Sequence, residues 1–469
     1  MAERRLTIIG GGLAGAEAAW QAAQAGARVR LYEMRPTVRT PAHHTDRLAE
    51  LVCSNSLKTE SLEDASGLLK VEMRALGSLI LRCAEAHRVP AGSALAVDRE
   101  RFAEAVTETI ASHPQVEVFR EEVPGVPGDR PLIVASGPLT SERLAADLAA
   151  RFTAFLEPRA AEPESRIAEP GNAAPRTARL LYFYDAISPI VAADSINHDV
   201  AYAAARYGVG GADYLNCPLT REEYERFRQA LLAGERYPLH GFEQANYFEG
   251  CLPIEELAER GTDTLRFGPL RPVGLRDPRT GKRPFAVVQL RQENRGPEGR
   301  PTMYNLVGFQ TRLRRGDQTK AVRLIPGLER AEILRYGSVH RNTFLTAPLL
   351  LEDTLQFRGD PGLFFAGQLT GVEGYLESAA TGLLAGLNAV RLAEGAALLR
   401  PPRTSMLGGL LHYLTTAAPA AFQPINANFG LVPVLPQLVR DRRERNRLLA
   451  ARAQADFQAW RRDIGSRSK

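Results

Sequence analysis

Near the start of the chain, Gly10-Gly11-Gly12-Leu13-Ala14-Gly15 fits the spacing G-x-G-x-x-G. An apolar run (Leu6, Ile8, Ile9) leads into it, an alanine-rich helical stretch follows, and a second apolar strand (Val29, Leu31) ends on Glu33. Each part has a mechanical job. Gly10 permits the tight strand-to-helix turn, Gly12 lets the backbone approach a pyrophosphate, and Gly15 lets helix and strand pack closely. Glu33, about 20 residues on, is placed to hydrogen-bond a ribose 2′-hydroxyl. Phosphates would then rest on the free N–H groups and positive dipole of the helix that Leu13 and Ala14 open. The chemistry this spells is dinucleotide binding.

Thiols are the other reactive groups, four in number: Cys53, Cys83, Cys217 and Cys251. Their wide spacing gives neither a disulfide framework nor a CxxC metal site, which suits a reducing cytoplasm. Cys83 lies in an apolar helical pattern (Leu79 to Ala84) and reads as packing. Cys217 sits between Asn216 and Pro218, which are sufficient to explain it as a turn. Cys251 follows Gly250 and precedes Pro253, a bent loop that would expose the sulfur. The residues alone do not choose between Cys217 and Cys251. Cys53 follows soon after the second strand, in a loop able to reach a bound cofactor. His43-His44 has no cluster of partners nearby, so no metal site is expected.

The elements that must position these groups form an interrupted α/β fold, a Rossmann-like domain broken by a smaller α+β insertion. Residues 1–154 read as the first part of a nucleotide-binding domain, with a helix over Arg99 to Ala111 and strands at Val116 to Phe119 and Leu132 to Ala135. A Pro/Ala/Glu/Arg-rich stretch, 155–179, reads as a flexible linker. Short β-type runs with aromatic residues mark 180–348 as an inserted domain for substrate. In 349–469 the nucleotide theme returns. Gly362 to Gln368 is a strand running into Gly367-Gln368, and Gly374 to Gly382 opens a small-residue helix. Large FAD-binding folds close their site with such a late strand-glycine turn, whose helix points its N-terminus at the flavin and favours the anionic reduced form. NAD-dependent dehydrogenases usually keep their nucleotide domain in one piece, so FAD is the expected ligand. Past Pro436 the tail is helical and arginine-dense.

Composition sets bounds. With 469 residues and a net charge of +5, two to three domains and a mild preference for anionic partners are expected. The 54 arginines stand against five lysines, a skew that reads as coding bias rather than as a nucleic-acid signal. No apolar run approaches the roughly 18 residues of a membrane span, and no signal-peptide segment opens the chain. A cytoplasmic enzyme is expected.

Over nearly its whole length the chain resembles the folate- and FAD-dependent tRNA (uracil-54-C5) methyltransferases, the TrmFO family, which is related to the GidA-type flavoproteins. The resemblance rests on GGGLAGAEAA at 10–19, ELVCSNSLK at 50–58, AGSALAVDRE at 91–100, YLNCP at 214–218, YFEGCLPIEELAERG at 247–261, TLRFGPLRPVGL at 264–275, AVVQLRQEN at 286–294, RYGSVHRNTF at 335–344 and GQLTGVEGYLESAATGLLAG at 367–386. It implies methylation of C5 of uridine 54 in the tRNA T-loop. The carbon would come from 5,10-methylenetetrahydrofolate and the electrons from FAD recharged by NADPH or NADH. Uracil C5 is a poor nucleophile until a group adds at C6, a step suited to a thiolate. A base must then remove the C5 proton. The resemblance gives the first role to Cys251 and the second to Cys53. His340, beside Arg341 and Asn342, is placed to meet the pterin or flavin, and Arg266, Arg271, Arg291 and Gln292 to line the cleft. The arginines at 440, 442, 443, 445 and 447, interleaved with Asp441 and Glu444, read first as a salt-bridged helix face and second as a tRNA contact. No second G-x-G-x-x-G unit serves a nicotinamide, because Gly208-Val209-Gly210 lacks the strand-helix setting. The reductant is therefore expected to dock transiently. A GidA-like enzyme building a larger C5 substituent and a non-catalytic tRNA-binding flavoprotein are the alternatives; the two thiol motifs weigh against both.

Overall fold

The computed structural model describes residues 4–160, 181–206, 212–237, 252–296 and 299–467. Two six-stranded sheets organise them, each on its own apolar core. The first sheet has the spatial order Gln356–Phe357, Asp360–Phe365, Leu132–Val134, Arg5–Ile9, Arg28–Tyr32, Val116–Phe119. Its strands are parallel except for the antiparallel edge strand Gln356–Phe357. Leu6, Ile8, Val29, Leu31, Ile133 and Phe364 are buried in it, the near-continuous apolar composition that helices on both faces require. After Arg5–Ile9 the chain crosses to one side through the helix Leu13–Gln24, whereas Leu132–Val134 and Asp360–Phe365 lie on the other side. The strand order therefore reverses beside Ile9, and the carboxyl ends of the strands at such a point form the usual binding crevice.

The second sheet is antiparallel throughout: Tyr202–Ala203, Tyr214–Leu219, Ala286–Gln292, Met303–Leu306, Ile190–Ala192, Ile333–Arg335. Its core includes Leu215, Cys217, Leu219, Val288 and Leu290, with Tyr224, Phe227 and Leu231 from the helix Arg221–Ala233. That helix opens on a capping box, in which Thr220 and Glu223 satisfy each other's backbone N–H groups. A two-stranded ribbon, Leu181–Ala186 with Val339–Phe344, stands where the chain enters and leaves this sheet. A third sheet of three short strands, Ser56–Thr59, Ala94–Val97 and Arg88–Val89, follows the first nucleotide-binding elements.

The helix Glu142–Ala160 runs six residues into the stretch that composition assigns to a linker. Aromatic packing explains it: the Phe155 ring lies 5.0 Å and the Phe152 ring 5.5 Å from the ring of Phe357 on the edge strand. The rest of that stretch lies outside the described residues. Among the described residues no helix is long and apolar enough to cross a membrane.

Two buried glutamates fix helix ends in the first core. Glu17, on the helix Leu13–Gln24, accepts from Ser78 Oγ at 2.7 Å and from the N–H groups of Leu79 and Ile80 at 3.1 and 2.9 Å. Glu72, on the helix Ala65–Ala75, accepts from the N–H groups of Met406 and Leu407 at 2.7 and 2.8 Å. Each occupies the positive end of a helix and takes the first N–H groups that the N-cap serine, Ser78 or Ser405, leaves over. Burial raises both carboxyls, Glu72 to about 7.

Candidate functional site: a nucleotide cleft with a thiol on its wall

The four glycines of the turn do different physical work. Gly10 has φ 103°, a region that L side chains avoid, and a Cβ there would lie 2.4 Å from Ala135 O. At Gly15 a Cβ would lie 1.8 Å from Gly10 O, and at Gly11 it would lie 2.5 Å from Leu48 Cδ2. Only the Cβ of Gly12 would meet nothing within 4 Å. The first three are glycines because protein is in the way, and Gly12 faces an open cradle at the N-terminus of Leu13–Gln24. No side chain caps that terminus, so its first N–H groups are available to a ligand. Leu13 and Ala14 line the same cleft.

Glu33 sits at the cleft's edge with its carboxylate engaged on both oxygens. Oε2 accepts from Gly11 N–H at 3.0 Å, and Oε1 accepts from Arg35 N–H at 3.0 Å and Nε at 2.8 Å. Burial alone would raise this carboxyl, but the Arg35 guanidinium and the two N–H groups hold it below the usual range. Arg35 in turn donates to Glu50 at 2.9 Å.

Across the cleft, Gly367 (φ 78°) turns the chain out of Asp360–Phe365, and its N–H donates to Thr381 Oγ1 at 2.9 Å. Gln368 also lines the cleft and donates to Glu373 at 2.7 Å. The helix Tyr375–Ala393 then lies directly on Leu13–Gln24. A Cβ on Gly382 would be 2.1 Å from Ala14 O, and one on Gly386 would be 2.6 Å from Ala18 O. Only paired small residues allow helix backbones this close, and the contact brings both N-termini to one cleft.

Cys53 is half-buried in the loop that forms the cleft wall next to Val52. The Tyr375 hydroxyl accepts from the N–H groups of Cys53 and Ser54 at 2.8 and 3.1 Å. Burial pushes the Tyr375 phenol well above its ordinary value, with the nearby Cys53 adding to the rise, so it stays neutral. Guanidiniums hold the rest of the loop. Arg335 donates to Val52 O at 2.8 Å, and Arg99 donates to Leu51 O while pairing with Glu293 at 2.9 Å. From the second sheet, Arg291 donates to Asn55 Oδ1 and Ser54 Oγ, both at 2.8 Å. Asn55 donates to Val97 O at 2.9 Å and to Gln292 O at 3.0 Å. Just beyond, Lys58 takes the left-handed conformation (φ 63°) and pairs with the buried Glu377 at 2.8 Å.

The structure thus brings together Gly10, Gly12, Leu13, Ala14, Glu33, Gly367, Gln368 and, through its loop, Cys53. Arg291 and Gln292 lie at the Cys53 loop. Arg266 instead packs against Phe285, its guanidinium 4.4 Å from the ring centroid, and Arg271 is exposed in the turn that follows Thr264–Phe267. His340 lies on the ribbon strand opposite Asp185. Cys251 falls outside the described residues; after it, Pro253 opens the helix Ile254–Glu259, whose Glu255 is held by Thr311 Oγ1 and Arg312 N–H, both at 2.8 Å. Cys217 is fully buried on the strand Tyr214–Leu219, and burial pushes its thiol up to about 12; Cys83 is likewise buried and pushed up to about 11. Neither is a thiolate near neutral pH. In the arginine-dense tail, Arg447 pairs with Glu444 at 2.6 Å and Arg443 with Glu63 at 3.7 Å. Tyr375, Arg35, Arg99 and Arg335 are site residues that the sequence reading did not single out. Their one signal was membership of, or closeness to, the long motifs.

The model of the family described as glucose inhibited division protein A matches residues 5–397. The methylenetetrahydrofolate--tRNA-(uracil-5-)-methyltransferase TrmFO of Moorella thermoacetica is 55% identical over 449 residues, covering 96% of each chain. The protein of the same name from Geobacter sulfurreducens is 56% identical over 456 residues, 97% of this chain and 98% of that one. Among solved structures, GidA of Aquifex aeolicus in its form II crystal has a TM-score of 0.64 at 18% identity, covering 98% of this chain and 74% of that one. At such low identity the likeness is one of fold. Sheet order, glycine turn and late closing helix define a Rossmann-like nucleotide-binding fold of the glucose inhibited division protein A class. Within that class the chain belongs to the TrmFO family, as its identity to those relatives over nearly full length shows.

Proposed function

We propose that this chain methylates C5 of uridine 54 in the T-loop of tRNA, with 5,10-methylenetetrahydrofolate as carbon donor, FAD as bound cofactor and NADPH or NADH as a transient reductant. The observation that carries this reading is a thiol loop on the wall of a nucleotide cleft. Val52 lines the cleft, and Tyr375, at the mouth of the closing helix, binds the backbone of Cys53.

The cleft suits FAD. Gly12 leaves room for a pyrophosphate against the uncapped N–H groups of Leu13 and Ala14. Glu33 retains lone pairs for a ribose hydroxyl, and Gly367, Gln368 and His340 would meet the rest of the cofactor. When bound, the flavin supplies the two electrons that turn the transferred one-carbon unit into a methyl group. Cys251 adds to uracil C6, which makes C5 an enolate carbon able to take the carbon from folate. Cys53 removes the C5 proton, and expulsion of Cys251 restores the ring. Tyr375, Arg335 and Arg291 hold the Cys53 loop so that its thiol meets the reacting carbon in one orientation.

The test supplies the purified protein with a T-loop transcript, NADPH or NADH, and methylene-labelled 5,10-methylenetetrahydrofolate. Label is expected in 5-methyluridine at position 54. Label arriving instead from methyl-labelled S-adenosylmethionine, or at another nucleotide, overturns the proposal.

A further inference from the structure

We infer that Phe267, with the basic side chains around it, is a docking platform on which an unpaired base of the tRNA stacks, well away from the reacting uracil. This inference rests on the proposed tRNA substrate and deepens it.

Phe267 is 75% exposed, far from ordinary for a phenylalanine and more than any other aromatic side chain among the described residues. It is held in place rather than dangling. The turn around it is clamped to the second sheet: Leu270 N–H donates to Leu265 O at 2.9 Å, and Leu270 O accepts from Val287 N–H at 3.0 Å. Leu265 and Leu270 are buried on either side of the exposed ring. Arg266 donates to Phe285 O at 3.1 Å, and its guanidinium lies 5.4 Å from the Phe267 ring centroid. The fold thus presents a rigid apolar face next to a cation.

The charge around it selects the occupant. Between residues 263 and 283, six cationic side chains (Arg266, Arg271, Arg276, Arg279, Lys282, Arg283) stand against two acids, Asp263, which lies 3.8 Å from Arg266, and Asp277. Asp277 is taken by Arg279, at 2.8 Å. Arg271, Lys282 and Arg283 are exposed and have no ion pair among the described residues. An aromatic face in a segment with a surplus of cations, three of them exposed and without an ion pair among the described residues, fits a polyanion that carries flat, apolar rings, which is RNA with an unstacked base. A protein partner would leave these cations without partners unless it were strongly acidic.

Position argues for a contact distant from the chemistry. Phe285 precedes the strand Ala286–Gln292, and Arg291 near its other end bonds the Cys53 loop. Six residues of strand span about 20 Å, a distance that a folded tRNA covers and a nucleotide does not. The platform therefore acts on tRNA affinity and not on the reacting carbon.

The experiment measures binding of a full-length tRNA transcript to the flavin-loaded protein by fluorescence anisotropy, together with steady-state methylation. Phe267→Ala is expected to weaken binding by about tenfold and raise KM for tRNA equally, with kcat and the flavin spectrum unchanged. Phe267→Trp is expected to keep wild-type affinity, and Phe267→Leu to behave like Ala, because stacking needs a ring. Arg271→Ala is expected to lower the salt slope of binding by about 1. Wild-type affinity in Phe267→Ala, or equal affinities for the Leu and Trp variants, overturns the platform. So does a change in the protein's own oligomeric size with tRNA affinity intact, which would mark a face between copies of the chain. A wild-type protein that binds tRNA without transferring carbon overturns the proposed reaction and leaves the platform to stand or fall on binding. A wild-type protein without tRNA affinity overturns both.

Discussion

Substituting two glycines of one turn separates ligand space from protein space. In Gly12→Val the added side chain points into the open cradle, where a Cβ meets nothing within 4 Å. The protein without flavin should therefore lose only what an N-cap glycine is worth over a β-branched residue, about 1 kcal/mol or less. Flavin binding should suffer far more. Displacing the pyrophosphate from two helix N–H groups forfeits two charge-assisted hydrogen bonds of about 1.5–3 kcal/mol each, which is roughly a 10²- to 10⁴-fold loss of affinity. In Gly15→Ala the new methyl would lie 1.8 Å from Gly10 O. An ordinary carbon–oxygen contact is about 3.3 Å, so the helix must retreat by roughly 1.5 Å. It is held from the other side by Gly382 and Gly386, and overpacking of this kind costs about 1–3 kcal/mol. Denaturant unfolding of the flavin-free proteins, and flavin absorbance of the proteins as purified, make the comparison. Gly12→Val should be colourless and nearly as stable as wild type, and Gly15→Ala should be clearly destabilised. Full flavin occupancy in Gly12→Val, or unfolding of that variant as severe as that of Gly15→Ala, would refute the reasoning.

Three further outcomes are expected. Cys251→Ala should lose both methylation and the covalent band trapped with 5-fluorouridine tRNA, Cys53→Ala should lose methylation yet form the band, and Cys217→Ala, altered only in the core, should keep both; a band that survives in Cys251→Ala and vanishes in either other variant refutes the assignment. Arg291→Met leaves Ser54 and Asn55 without two bonds of about 1.5–3 kcal/mol each, so kcat should fall at least about tenfold with flavin retained, and an unchanged kcat would show that the loop holds itself. Glu72 binds its proton more tightly in the fold, at about 7 against 4.5. Its contribution to stability is thus full below about pH 4.5 and lost as pH rises through about 7, a fall of about 3 kcal/mol. Unfolding free energies of wild type should decline against those of Glu72→Gln across that interval, and parallel curves would contradict it.

The glycine turn was legible in the sequence because a phosphate cradle is built from consecutive residues whose types follow from local sterics. The strand-glycine return at Gly367 was legible for the same reason. What holds the Cys53 loop was not. Tyr375, Arg335 and Arg291 lie more than 200 positions away from it in the sequence, and arginines among 54 carry no individual signal. Cys217 shows how a local pattern misleads: Asn216 and Pro218 read as a turn, yet they lie on a buried strand where Asn216 donates to Tyr202 O and Ala204 O at 3.2 and 2.9 Å. The third sheet escaped notice because strands of two to four residues are too short to display a period. The 155–160 stretch looked like linker by composition and is helix by virtue of Phe357, a partner two hundred residues downstream.

The meeting of the first helix with Tyr375–Ala393 has a consequence for how the protein is made. The glycine turn is translated about 360 residues ahead of the closing helix, and its cleft has only one wall until Gly367, Tyr375 and Ser378 follow. At about 5–20 residues per second, that gap lasts roughly 20 to 75 s. Throughout it, the small-residue stripe of Leu13–Gln24 awaits its partner and the Cys53 loop lacks its tyrosine. A nascent chain halted after the antiparallel sheet would hold a complete nucleotide fingerprint and no place to keep a nucleotide. Cofactor loading is thus a late event in biosynthesis, and a chain that has taken up flavin has also completed its translation through the closing helix.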